Sequence, residues 1–357
     1  MLRLITTLEE FLEIERDWDS LYELQSDFRP FQTYSFINAS LKLESKEGRS
    51  LYILCYSPKE NSSIKAIFPF CLYRDGSLHF INEEHSDFCS AIIDPQSQTN
   101  YIMYEELFHY LSDDSRIKRI YLNHIKKDDL LLPYMGHFSR HAKIYRTENY
   151  SFFDIFRDDN DSNFIDSLRH LSAKERNRLK NISKKMYDIS FSVLSVKKGD
   201  NYPEESINYL SNQMVEVGIR TKEYFSYQLL SFFKELYYNG IINIALVYES
   251  GRLGSASLFY MNEDKNYTIQ WIILYTDKKY NLWNKLLIMD SLYQNGGGRF
   301  NFGRGTYGYK IQHFRPILQN LFCVDIPKTN NMRIKILFED FVALCKELIK
   351  SIMLIKR

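Results

Sequence analysis

The chain is poor in the features that most often betray a function. Its five cysteines, Cys55, Cys71, Cys89, Cys323 and Cys345, are odd in number and show no C-x-x-C spacing. That argues against a disulfide scaffold and leaves free thiols, packed as core residues in a reducing compartment. The formal net charge is +1, so nothing pulls the whole molecule toward nucleic acid or an anionic membrane, and any basic site has to be local. No run of about 18 uncharged apolar residues occurs, so no spanning helix is expected. The opening MLRLITTLEEFLEIERDW carries acids where a signal sequence needs an apolar stretch, and a cytoplasmic protein is expected. There is no H-E-x-x-H and no His/Cys cluster, so no metal is expected. No G-x-S-x-G elbow or P-loop appears. Gly296-Gly297-Gly298 precedes a strand instead of opening a helix, which removes a dinucleotide fingerprint.

What the chain does have is length and rings. Its 357 residues suit two domains, and aromatics make up 15%, with 27 Tyr and 25 Phe. Residues 7–26 read as an opening helix capped by Thr7, and a short helix is expected at 35–44. Strands are expected at 50–57, 64–74, 78–82, 89–94 and 117–125, with a helix at about 101–112. The second half repeats that grammar: helical regions at 162–188, 203–217 and 225–240, the last stopped by Gly240. A three-strand meander comes next, at 241–249, 253–261 and 267–275, its links ESGR and NEDKN being turn chemistry. Then come a helix at 281–294 and strands at 299–303 and 321–326. The order is α+β. The segments RTENY and FRDDNDSN read as loops, which sets a boundary near 155: domains 1–155 and 156–330, and an amphipathic helix over 331–357.

The stretch 300–314, FNFGRGTYGYKIQHF, concentrates chemistry. Gly303 and Gly305 permit a sharp turn off a strand end. Arg304 and Lys310 can neutralise an anion, and Tyr307 and Tyr309 can protonate a leaving thiolate or hold a carbonyl. The alternative is structural, with Arg304 paired to a carboxylate and the tyrosines filling a sheet edge. Lys310, if buried, has to meet a carboxylate or a ligand anion. The helix at 172–186 opens with the capping box Ser172–Glu175. It carries Arg176 and Lys180 on one face, either a solvated basic face or a phosphate patch. Arg220 and Lys222 lie in GIRTKEYF, before the third helix. His85 and Asp87 lie in EEHSDF, near the junction of the halves.

This order and these phrases resemble the GNAT acyl-CoA N-acyltransferases, and most of all their FemAB-like and CelD-like branch, the GNAT domain 6 group. The branch phrase D-F-G-x-G-x-x-x-Y-K is met by Asn301-Phe302-Gly303-Arg304-Gly305 and Tyr309-Lys310. Trp18 with Leu21, Phe31 with Phe36, Phe68-Pro69-Phe70 and Ser86-Asp87-Phe88 match its other landmarks. The resemblance implies an α/β protein of two tandem GNAT-like domains, each built on a central mixed sheet. It implies an N-acyltransferase moving an acyl group from acetyl-CoA or another acyl-CoA to an amine of a cell-envelope or polysaccharide precursor. Tyr309, Lys310 and Tyr307 would be catalytic, and Arg304, Arg176, Arg220 and Lys222 would hold substrate. The donor pyrophosphate would rest on the helix head at Asn281, Asn284 and Lys285. Two departures stand out: Asn301 replaces the family's aspartate, and Trp283 is bulky where small residues are usual. An aminoacyl-tRNA-dependent Fem-type ligase and a non-catalytic binding protein are the rival readings.

Overall fold

The computed structural model describes residues 1–44, 48–60, 62–97, 101–138, 142–158, 161, 163–305, 308–334 and 336. Two series of elements succeed one another. The first runs β1 (Leu2–Ile5), α1 (Leu8–Glu13), α2 (Glu15–Glu23), α3 (Tyr34–Glu44), β2 (Ser50–Tyr56), β3 (Ala66–Leu72), β4 (Ser77–Phe80), β5 (Ile92–Ile93), α4 (Tyr101–Asp113), β6 (Arg119–Lys126), α5 (Leu131–Phe138) and β7 (Lys143–Phe156). After α6 (Phe164–Ser167) and α7 (Ala173–Ser183), the second runs β8 (Ile189–Leu194), α8 (Glu204–Glu216), α9 (Tyr227–Tyr238), β9 (Asn243–Glu249), β10 (Arg252–Asn262), β11 (Tyr267–Tyr275), α10 (Lys278–Gln294), β12 (Gly297–Arg304), α11 (Gly308–Phe314) and β13 (Ile317–Pro327).

Local chemistry accounts for many of these limits. Ser226 caps α9 by accepting from Leu229 N. The helix ends on Gly240 at φ +69, where Gly240 N–H bonds Tyr237 O and Ile241 N–H bonds Leu236 O, the paired closure that a left-handed glycine makes possible. Between β9 and β10, Ser250 and Gly251 both have positive φ, as the tightest hairpin turn requires. The expected helix at 7–26 is instead broken at Ile14 (φ −96, ψ 7). The break lets both Phe11 and Trp18 reach the Tyr34 ring.

All the strands of the described residues join in one sheet, in the order β1-β2-β3-β4-β6-β13-β7-β12-β11-β10-β9-β8, with β5 beside β3. The order reads alike from both ends when each element of one series is matched to its counterpart in the other. The parallel pairs β4/β6 and β11/β12 occupy matching places. At the centre the last strands are exchanged. β7 ends the first series yet pairs with β12, while β13 ends the second yet pairs with β6, and the two pair with each other. RTENY, expected as a loop, therefore lies inside β7. Its outer half is exposed, so pairing with β13 and not apolar content makes it a strand. The edge strands β1 and β8 also lacked a recognisable sequence signal, being short or only half-buried.

One face of the sheet is covered by α1–α3 and α8–α9, which share a single core that crosses both series. Phe36 of α3 meets Phe232 of α9 edge to face at 5.6 Å. The other face carries two cores, one under α4 and α5, the other under α6, α7, α10 and α11. The helix expected over 331–357 lies almost wholly outside the described residues.

Candidate active-site cleft

The parallel pair β11/β12 stays in register only from Tyr267↔Arg299 to Ile269↔Asn301. Beyond that point the strands part, because β12 bulges over Phe302 and Gly303 where it runs along β7. A bulge bends a strand and re-aims the side chains beyond it. Gly303 sits there at φ +70 and Gly305 at φ +90. Asn301 is wholly buried and holds the bend: its side-chain oxygen accepts the Gly303 N–H at 2.8 Å, and its amide donates to Tyr267 Oη at 2.8 Å. The position that is aspartate in the GNAT domain 6 phrase is a turn cap here, and asparagine serves it. The matching strand β6 bulges at its own Asn123 and His124, with His124 at φ +59.

The parted strands open a cleft of about 590 Å³. Residues of β11 from Gln270 to Tyr275 form one side, and Phe302, Arg304 and Lys310 the other. Met214, Ile219, Arg220, Tyr224 and Phe225, from the end of α8 and the link to α9, close one wall together with Asn281 and Lys285 of α10. The opposite wall comes from the first series: Glu84, His85, Asp87 and Glu148. The charges are sorted by origin. Among the described residues lining the cleft, the charged side chains of the second series are cations (Arg220, Lys285, Arg304 and Lys310) and the acids come from the first series.

Lys310 is 2% exposed. A carboxylate or a ligand anion was expected to hold its ammonium. Among the described residues it donates to three backbone carbonyls of its own turn, Phe302 O at 2.9 Å, Arg304 O at 3.1 Å and Gly305 O at 2.9 Å. Burial pushes it down to about 8, against the carboxylates of Asp87 and Glu148, which hold it up. Lys285 is 1% exposed; it donates to the Asn281 side chain one turn back, and burial with the Lys310 charge holds it well below the usual lysine range.

Arg304 reaches across to the first series. Its Nη1 donates to the His124 imidazole, its Nη2 to Glu84 O at 2.9 Å, and its Nε lies 3.5 Å from Glu148. His124 Nδ1 is 3.0 Å from Glu83 O. Burial and the guanidinium push His124 down to about 3, so it is neutral: Nδ1–H donates to Glu83 and Nε2 accepts from Arg304. Asp87 is 8% exposed, and its Oδ2 has no hydrogen-bond partner among the described residues. Burial pushes its carboxyl up to about 6, with Arg304 and Lys310 pulling the other way.

Of the residues singled out in the sequence, Arg304, Lys310, Arg220, Asn281 and Lys285 meet in this cleft. Others do not. Arg176 curls back onto Leu171 O, and Lys180 pairs with Asp166. Lys222 is exposed and does not line the cleft. Asn284 faces the sheet, donating to Ala245 O and Ser255 Oγ at 3.1 Å each. Helix α10 begins at Lys278, three residues before the expected head, so the amides of 281–285 lie inside the helix. The true head is capped by Asp277, whose carboxylate takes the Lys279 N–H at 2.8 Å. It places a negative charge where a pyrophosphate would need amides. Trp283 is buried against Tyr280 and the Lys279 ammonium. Tyr307 and the side chain of Tyr309 lie outside the described residues. Glu148, His124 and Gln270 were not picked out from the sequence. His85 and Asp87 were noted in EEHSDF, near the junction of the halves, without an assigned role; both line the cleft, and nothing local ties Asp87 to β12.

No family model and no curated protein matches the chain. Solved structures do. The C-terminal domain (DUF2156) of a protein assigned as a lysylphosphatidylglycerol synthetase from Agrobacterium fabrum superposes with a TM-score of 0.55 at 11% identity, over 93% of this chain and 96% of that one. L-PGS from Bacillus licheniformis gives 0.57 at 13% identity, over 90% and 94%. A tandem GNAT protein from the clavulanic acid biosynthesis pathway gives 0.53 at 9% identity, over 92% and 99%. The fold class is thus the one expected from the sequence, a mixed α/β GNAT-like fold in tandem, with the two expected central sheets joined into one among the described residues.

Proposed function

We propose that the chain is an N-acyltransferase in which two GNAT-like units, 1–155 and 156–330, enclose one reaction cleft. The acyl group passes to an amine of a cell-envelope or polysaccharide precursor, in the cytoplasm. One observation carries this reading. The sheet parts beyond Ile269↔Asn301 and exposes β11 beside a floor of buried ionisable groups. Such a wedge can hold a thioester or ester in line with an amine, and placement together with fixed charge supplies most of what the reaction needs. Arg220, Lys285 and Arg304 would face an anionic donor, with Lys310 keeping the turn beneath them rigid. Tyr307 and Tyr309 are proposed to orient the reacting carbonyl.

An acyl-CoA is the first donor to test. The second reading, an aminoacyl-tRNA, is favoured by the Asp277 cap, which takes the helix head away from a pyrophosphate. It is favoured also by the open groove along α7 lined by Lys174, Arg178 and Lys185, a surface suited to a phosphate backbone. Thermal melting and titration calorimetry with CoA and acetyl-CoA, beside filter binding of aminoacyl-tRNA, distinguish the two. A ligand of the native state has to raise the melting temperature. No heat and no shift at millimolar CoA, with saturable tRNA binding, assigns the donor to tRNA. No response to either removes the acyltransferase reading.

A further inference from the structure

We propose that the first unit holds a small α-amino acid, glycine or one little larger, in a cavity between Gln32 and Lys126, with the carboxylate on Lys126 and Arg29 and the ammonium on Gln32 Oε1. The site is separate from the reaction cleft and does not rest on the acyltransferase reading.

The cavity lies where the fold repeats the cleft. The parallel pair β4/β6 keeps register only from Ser77↔Arg119 to Leu78↔Ile120, and β6 carries its own bulge beyond that point. The link between α2 and α3 stands beside the end of β6 as the α8–α9 link stands beside the parted strands of the second series. A cavity of about 60 Å³ is left there, lined by Asp27, Arg29, Gln32, Phe88, Lys126 and Asp129 among others.

Two groups in it have hydrogen bonds still to make. Gln32 is 3% exposed. Its Nε2 donates to Phe88 O at 2.7 Å, which fixes the amide's orientation, because a carbonyl can only accept. Oε1 turns the other way; it is not sealed within the protein and has no hydrogen-bond partner among the described residues. Lys126 is the second. Its Nζ stands 4.7 Å from the centre of the Phe88 ring and 3.6 Å from Asp27 Oδ2, beyond hydrogen-bond reach. It makes no hydrogen bond among the described residues, and burial holds it below the usual lysine range although Asp27 pulls it up. An ammonium so placed is unfavourable until an acceptor arrives.

The acids around them are already held: Asp27 by Arg29 at 2.6 Å, and Asp129 by Ser90 Oγ and the Leu131 N–H. Charge then selects the occupant. Arg29 and Lys126 face Asp27, Asp128 and Asp129 across the cavity walls, so a bare anion meets the carboxylates and a bare cation meets the two bases. A zwitterion complements both signs, and its ammonium supplies the N–H that Gln32 Oε1 lacks. A water needs roughly 10–15 Å³ of such space, which leaves room for about five heavy atoms. Occupancy bears on the cleft through one short segment, since Glu84, His85 and Asp87 line the cleft and Phe88, Cys89 and Ser90 line the cavity.

The test is calorimetry and thermal melting of the whole protein with glycine. Acetate and methylammonium carry its two charges separately, and phenylalanine exceeds the cavity. Glycine betaine is a zwitterion without an N–H, and it also controls for the general stabilisation that osmolytes give. Glycine should bind saturably at millimolar concentration and raise the melting temperature. The four controls should bind at least tenfold more weakly. Lys126→Met and Gln32→Met should each weaken glycine at least tenfold, and glycine should slow hydrogen exchange at 88–90 and 126–129. No saturable heat means that water alone fills the cavity and overturns the inference. Acetate or methylammonium as good as glycine overturns it too, since one charge then suffices. So does equal binding of betaine or phenylalanine, unchanged affinity in both variants, or protection confined to other segments. The wild-type series and its exchange pattern decide even if a variant does not fold. Failure of CoA and aminoacyl-tRNA to bind leaves this inference standing, because no part of it passes through the cleft.

Discussion

A methyl group on Gly303 would come within 2.4 Å of Asp87 Oδ2 and 2.9 Å of Gln270 O. The glycine is thus required by its neighbours as well as by its φ of +70. It lets a carboxylate from one half press against the bulged strand of the other, and it keeps that bulge beside β11.

Gly303→Ala should therefore lower stability by about 2 kcal/mol, combining a left-handed backbone with a backbone contact that cannot yield. Urea unfolding measures it. In a double-mutant cycle with Asp87→Ala the two costs should fall short of additivity, since removing the carboxylate removes one of the two clashes. Strict additivity would mean that the Asp87 contact carries no energy.

Lys310→Met should destabilise the protein by about 1–3 kcal/mol at neutral pH, because three carbonyls of one turn lose their donor. The pH dependence has a definite sign. The folded value of Lys310 is about 8, below its ordinary 10.5. Between the two the unfolded chain binds more protons, so wild-type stability should rise with pH relative to the variant, by up to roughly 3 kcal/mol from pH 8 to 10.5. Chemical denaturation across that range is the measurement. A flat difference would show that the ammonium is not desolvated.

Asn301→Ala should cost about 1–2 kcal/mol by leaving the Gly303 N–H without its acceptor in a buried turn. Asn301→Asp should cost less than half of that, since a carboxylate can accept both the Gly303 N–H and the Tyr267 hydroxyl proton. If the two variants are equally unstable, the side chain at 301 acts by shape and not by capping the bend.

Arg304→Lys should be harmful although charge is conserved. A lysine cannot reach the His124 imidazole and Glu84 O together from one planar group. A loss of about 1–2 kcal/mol is expected, with faster amide exchange confined to residues 82–89. Uniformly faster exchange would argue that the contact contributes to global stability and does not fasten that segment.

The sequence by itself determined the local grammar. Caps at Ser172 and Ser226, the stop at Gly240, the meander turns and the bend of FNFGRG are set by side chains acting on their own or adjacent backbone, so they are legible without the fold. It also marked Arg304 and Lys310 as unusual and led to the right fold class. It misplaced the head of α10, because Asp277 caps earlier than the helical pattern suggests. It turned β7 into a loop, because the exposed half of that strand is held by its pairing with β13 and not by apolar residues. The tertiary structure alone decided the exchange of the last strands and the sorting of charge between the two walls. It alone decided that Lys310 would clasp carbonyls, and that Asp87 would arrive at Gly303. These depend on pairings such as that of Arg304 with Glu84, 220 residues apart in the chain. No local preference encodes such a contact, which forms only when the cores on both faces of the sheet close together.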